Sequence, residues 1–179
     1  MTDWTIAGTL TPVPAAEHPE LLAPPVVEAL ASLDGPVGVV EIDPELADTA
    51  EFCEAYSSPL SASANCVVVA GKRGGSVRHA AALVLATTRA DVNNVLRREL
   101  DVRKASFAPM DEAVRLTGMA YGGITPLGLP GDWPVFVDRA VAEAAELVVG
   151  SGIRGSKLLV TGATLAALPG AEVIDGLAR

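Results

Sequence analysis

Residues 118–130, GMAYGGITPLGLP, are where this chain is best equipped to present its own main chain to a ligand. The glycine pair Gly122-Gly123, followed by Ile124, Thr125 and Pro126, comes just after a helical pattern. Without Cβ atoms, backbone amides there can meet a ligand at close quarters. Such a set of exposed amides is suited to hydrogen-bond acceptors on a ligand. The plainer alternative is a turn, because Gly and Pro punctuate loops everywhere. Asn65 stands at the head of the apolar run ANCVVV, where taken alone its amide satisfies a buried polar contact. Cys66 next to it is a nucleophile in principle. Neither Cys66 nor Cys53 has a histidine nearby in sequence to act as its base, so both read as inert buried thiols.

Other motifs fail on context. Gly150, Gly152 and Gly155 spell GxGxxG, with Glu172 twenty residues beyond Gly152. A dinucleotide fingerprint needs a helix to open at its last glycine, whereas SKLLV continues as strand, so a hairpin turn is expected. GKRGG has its lysine ahead of the later glycines and no Ser or Thr directly after it, which excludes a Walker loop. Two cysteines thirteen positions apart and two histidines, His18 and His79, give no metal-ligand spacing, so neither a metal nor a cofactor is expected.

The elements that must position these groups can be read from the pattern. The first twenty residues are rich in Pro and Thr without periodicity and read as an irregular arm, residues 1–20, preceding a single domain at 21–179. A helix should start at Pro24-Pro25 and run to the Asp34-Gly35-Pro36 stop, before a buried strand VGVVEI. A second helix over 45–56 takes Asp43 as its cap. Residues 64–87 carry two apolar runs joined by KRGG, a β-hairpin signature. Asp91 caps a helix over 92–100, KASFA reads as strand, and Pro109 opens a helix closed by Gly118. Beyond the glycine loop come the strand VFV, Asp138 before a helical run, ELVVG, KLLV, a helix ATLAAL and a terminal EVID. Strands cluster as hairpins with helices interspersed irregularly. The fold class is therefore α+β, a single domain with one mixed, mostly antiparallel sheet surrounded by helices.

The string TGMAYGGITPLGLP, followed by WPVFVDRAV and GSGIRG, resembles the YbaK/ProX family of free-standing and synthetase-attached tRNA editing domains. By element order the resemblance covers roughly residues 25–175. It implies that Gly122 to Pro126 position the terminal adenosine ribose and the aminoacyl ester, that Asp138 matches the acid ending the short strand after the loop, and that Gly152 belongs to the late glycine turn. Asp138 has an independent reading as an N-cap. The departure is at Asn65: family members with deacylase activity usually begin that strand with lysine. An amide there can still donate to the ester oxygen, and editing in this family is largely substrate-assisted. The resemblance thus implies a trans-editing hydrolase that deacylates a mischarged aminoacyl-tRNA. The alternative is a catalytically silent module that binds an aminoacyl-tRNA end or aminoacyl-like ligand.

Charge bears on the partner. The net charge of −9 argues against a general nucleic-acid binder, but its distribution is uneven. Residues 1–71 hold no Lys or Arg, whereas residues 72–104 hold eight basic against three acidic residues. That island, with Lys72, Arg73, Arg97 and Arg98, is a candidate docking face for a tRNA acceptor end, or simply a solvated surface. Apolar runs stay short of the roughly 18 residues of a membrane span, and no signal or transit pattern precedes them. The expectation is a cytoplasmic protein of unspecified oligomeric state.

Overall fold

The computed structural model describes residues 2–179, and its strands form two sheets rather than one. In chain order the elements are β1 (Val13–Pro14), α1 (Pro24–Leu30), β2 (Gly38–Glu41), α2 (Thr49–Tyr56), β3 (Ala64–Arg73), β4 (Ser76–Leu85), α3 (Arg97–Glu99), β5 (Ala105–Phe107), α4 (Met110–Thr117), β6 (Val135–Asp138), α5 (Arg139–Ala142), β7 (Leu147–Gly150), β8 (Ser156–Val160), α6 (Gly162–Ala166) and β9 (Ala171–Ile174). One sheet has the order β1-β2-β8-β7 and is antiparallel throughout. The other has the order β5-β3-β4-β6-β9, with β6 parallel to both β4 and β9. The α+β, mostly antiparallel class expected from the pattern is what the chain adopts. Its split into two sheets follows from β2 pairing with β8 instead of with the β3–β4 hairpin. A period of two tells which residues share a face, but not which strand lies alongside.

Alternation along the strands sorts side chains into layers. Val39, Leu83, Val137, Val149 and Leu158 come from both sheets into one buried cluster, with Val26 of α1 among them. On the far side of the second sheet, Ala80, Ala82 and Val84 of β4 pack with Val95, Leu96 and Leu100. β4 is therefore buried on both faces, which is why it reads as an almost unbroken apolar run. Behind the first sheet, Val40, Val148 and Leu159 pack on Phe52 of α2.

Local expectations meet the structure unevenly. The β3–β4 hairpin runs in register from Ala64↔Leu85 to Arg73↔Ser76, with Gly74 and Gly75 in the turn at positive φ. The stretch expected as one helix over 45–56 divides: Asp43 caps a single 3-10 turn, Pro44–Leu46, by accepting from Glu45 N at 3.0 Å, and α2 starts afresh. Asp91 accepts from Asn94 N at 3.0 Å, but what it opens is a π-helical turn, Val92–Leu96, before the short α3. The expected arm is tied to the body: β1 pairs with β2, and Ile6 and Ala7 join the cluster around Phe52. Residue 1 lies outside the described residues. No helix among the described residues is long and apolar enough to cross a membrane.

Candidate functional site

The two sheets meet at the head of β3, where Ser63 makes a parallel bridge to Val148 of β7. Around that junction lies a cavity of ≈ 350 Å³. Its walls come from the start of α2 (Asp48, Thr49, Phe52), the head of β3 (Asn65 to Val68), the glycine loop (Tyr121, Gly122, Ile124), and the β7–β8 pair (Val149, Gly150, Lys157). That volume lies in the range of small-ligand pockets.

Asn65 is half-buried on the wall, and its side-chain oxygen accepts from Thr49 Oγ1 at 2.9 Å. This bond sets the orientation of the amide. It leaves Nδ2, with two hydrogens, unengaged among the described residues. Cys66 lines the same wall, but burial pushes its thiol pKa up to about 12. A neutral thiol is a poor nucleophile, in keeping with the inert reading.

The loop is locked from behind. Gly152 N donates to Gly123 O at 2.7 Å, and Ala120 N donates to Gly152 O at 2.9 Å, stitching it to the β7–β8 turn. A Cβ on Gly123 would lie 2.5 Å from Ile153 O, and one on Gly150 2.5 Å from Gly123 O. Only glycine permits the two main chains to approach so closely. Gly122, with φ +84°, is exposed on the cavity side, and the Arg154 guanidinium passes across it. The amides of Gly122 and Ile124 donate no hydrogen bond among the described residues.

Arg154 is the rim's fastener. It donates to Pro44 O at 3.1 Å, to Asp48 Oδ1 at 3.2 Å and to Tyr121 O at 3.4 Å. Asp48 stands at the N-cap position of α2, yet its side chain makes no capping bond and turns to Arg154 instead. Deeper in, Lys157 is only 7% exposed, with its ammonium 5.6 Å from the centroid of the Phe52 ring. Burial lowers its pKa; the Asp48 charge opposes that shift, the Arg154 charge adds to it, and Cys53 opposes it weakly.

Of the residues nominated from sequence, Asn65, Gly122 and Ile124 come together on the cavity. Gly123, Thr125, Pro126 and Gly152 are buried behind it and shape the loop. Thr125 Oγ1 is buried without a hydrogen-bond partner among the described residues. Asp138 is 7% exposed at the end of β6 and accepts from Ala140 N at 3.3 Å as the cap of α5, away from the cavity lining. Lys72, Arg73, Arg97 and Arg98 are exposed and none lines the cavity. Arg73 is held by Asp101 at 2.6 Å, Arg97 bonds Asn93 O, and Lys72 forms no ion pair among the described residues.

Sequence reasoning missed Thr49, Asp48, Arg154 and Lys157. Lys157 left a trace, as the single charge at the head of the apolar run LLV in SKLLV. Thr49 and Asp48 look like any helix start, and their roles depend on strands distant in sequence.

Residues 43–168 match the family described as the aminoacyl-tRNA editing domain, and the chain belongs to that family. A crystal structure of a candidate trans-editing enzyme for prolyl tRNA synthetase is 25% identical, with a TM-score of 0.66 over 78% of this chain and 85% of that one. A scaffold protein from computational epitope grafting is 24% identical, with a TM-score of 0.70 over 86% of this chain and 95% of that one, and shares the fold. The resemblance drawn from the glycine loop and the order of elements is thereby supported.

Proposed function

We propose that this protein is a trans-acting editing hydrolase that cleaves the ester between a mischarged amino acid and the 3′-terminal ribose of a tRNA. The observation that carries the reading is the cavity itself, in a chain of this family: it is lined by Asn65, Gly122 and Ile124, whose Nδ2 and main-chain amides are unengaged donors among the described residues. Water adds to the ester carbonyl carbon, and charge moves onto the carbonyl oxygen, where those donors stabilise it. Collapse expels the ribose oxygen, which takes up a proton, leaving a free amino acid and an uncharged tRNA. No histidine among the described residues lines the cavity and Asp48 pairs with Arg154, which supports a route in which the proton of the attacking water passes to a group of the substrate. Positioning then supplies much of the acceleration. Asp138 and Gly152 serve by holding β6 and the loop in place rather than by touching the ester. Lys72, Arg73, Arg97 and Arg98 face the acceptor end.

The test is a deacylation assay over a panel of mischarged tRNAs. Cleavage of at least one ester well above its spontaneous rate is expected, and none above that rate would overturn the reading. In that event, tRNA binding at low salt with no cleavage would favour the silent binding module, for which the absence of a cation at Asn65 is the motivating observation.

A further inference from the structure

An ammonium group taken out of water is costly unless an anion or several acceptors replace the lost solvation. Lys157 is withdrawn into the cavity wall and forms no ion pair or side-chain hydrogen bond among the described residues. Its neighbours offer little. Phe52 gives its ring face, and the Asp48 carboxylate, whose charge favours the ammonium, makes its ion pair with Arg154 and none with Lys157 among the described residues. The strand register leaves no room for accident: Lys157 pairs with Val40 on one side and Gly150 on the other, pointing to the same face as Leu159, where apolar residues otherwise stand. Lysine stands at a position whose packing calls for an apolar side chain, and it lines the cavity that also holds the Asn65 amide.

We propose that Lys157 is the charged group of this site, its ammonium pairing with the oxyanion that forms on the scissile carbonyl, with Asn65 as the neutral second donor. This rests on the hydrolytic reading above. The chemistry is balanced without transfer of the lysine proton: charge that develops as water adds is met by a cation already in place, and is withdrawn again when the ribose oxygen leaves. Depth argues for the carbonyl over a backbone phosphate. Lys157 lies against the buried Phe52, whereas the exposed Tyr121 and its partner Arg154 stand where a bulky, solvated phosphate backbone has room.

Two measurements test it, on wild type, Lys157→Met and Lys157→Arg. In deacylation of whichever ester the wild type cleaves, Lys157→Met should lower kcat about 100-fold, with KM changed less than about threefold, and Lys157→Arg should recover part of it. A rise in KM at unchanged kcat, or no effect, overturns the proposal. The second measurement is independent of turnover: calorimetric binding of an adenosine 3′-ester of 1-aminoethylphosphonate, a tetrahedral mimic with an anionic phosphonate, beside 3′-alanylamido adenosine, which keeps the amino group but carries no negative charge. Lys157→Met should lose at least tenfold affinity for the phosphonate and little for the amide. Equal loss for both, or no wild-type preference for the phosphonate, overturns the proposal. Should the wild type cleave no ester yet show this charge-dependent preference, the hydrolase reading falls and the role of Lys157 in binding the anion stands.

Discussion

Asn65 and Lys157 place one neutral donor and one cation on a single cavity, from strands of different sheets. Truncating the first, Asn65→Ala, should lower kcat for deacylation by about 10- to 100-fold, within the range for a single donor to an oxyanion. Asn65→Lys should bring no gain: a second ammonium beside the first raises the cost of burial, and the expected result is a lower melting temperature and unimproved kcat. Joined to Lys157→Met, the same change moves the cation from one wall to the other, and activity above that of Lys157→Met alone is expected. Lys157 also leaves a mark on stability. Burial lowers its folded-state pKa below the ordinary 10.5, so the unfolded chain binds that proton more tightly. The penalty is complete below the folded pKa and fades as pH rises through it towards 10.5. Thermal denaturation should therefore show Lys157→Met more stable than wild type at neutral pH, with the gap closing in alkali.

The loop and the β7–β8 turn form the element on which geometry depends. Gly123→Ala forces a Cβ against Ile153 O and should destabilise the fold by about 1 to 3 kcal/mol in urea denaturation. Gly131→Ala, with no heavy atom within 4 Å of the added Cβ, should stay within about 0.5 kcal/mol. Most elements were legible from sequence: the hairpin from its two apolar runs, α4 from Pro109 and Gly118, and the loop from its glycines. What was not legible depended on partners far along the chain. Asp48 carries the local signature of an N-cap, but Arg154, more than a hundred residues on, takes its carboxylate. The division into two sheets turned on β2 choosing β8, a choice no alternation of side chains encodes. For Asp138 the local rule was sufficient, since the capping bond is what the structure contains.

At the scale of the whole molecule, a strongly acidic protein must approach a polyanion through a small basic region. Lys72 is exposed and free of ion pairs among the described residues, while Arg73 is engaged by Asp101. Lys72→Ala should thus weaken tRNA binding more than Arg73→Ala, and reduce the slope of log affinity against log salt by about 0.7 to 0.9. Filter binding across a salt series would show it, and equal slopes for all three proteins would remove Lys72 from the interface. β3 carries Asn65 near one end and Lys72 near the other, in one unbroken ladder with β4. At ~3.3 Å per residue the seven steps between them span about 23 Å. If the proposed function holds, a rigid strand of fixed length with a charged polymer at one end and its terminal ester at the other would be a ruler. It would tell a tRNA's end from any other ester by how far from the ester the next negative charges lie, before the cavity has examined the amino acid at all.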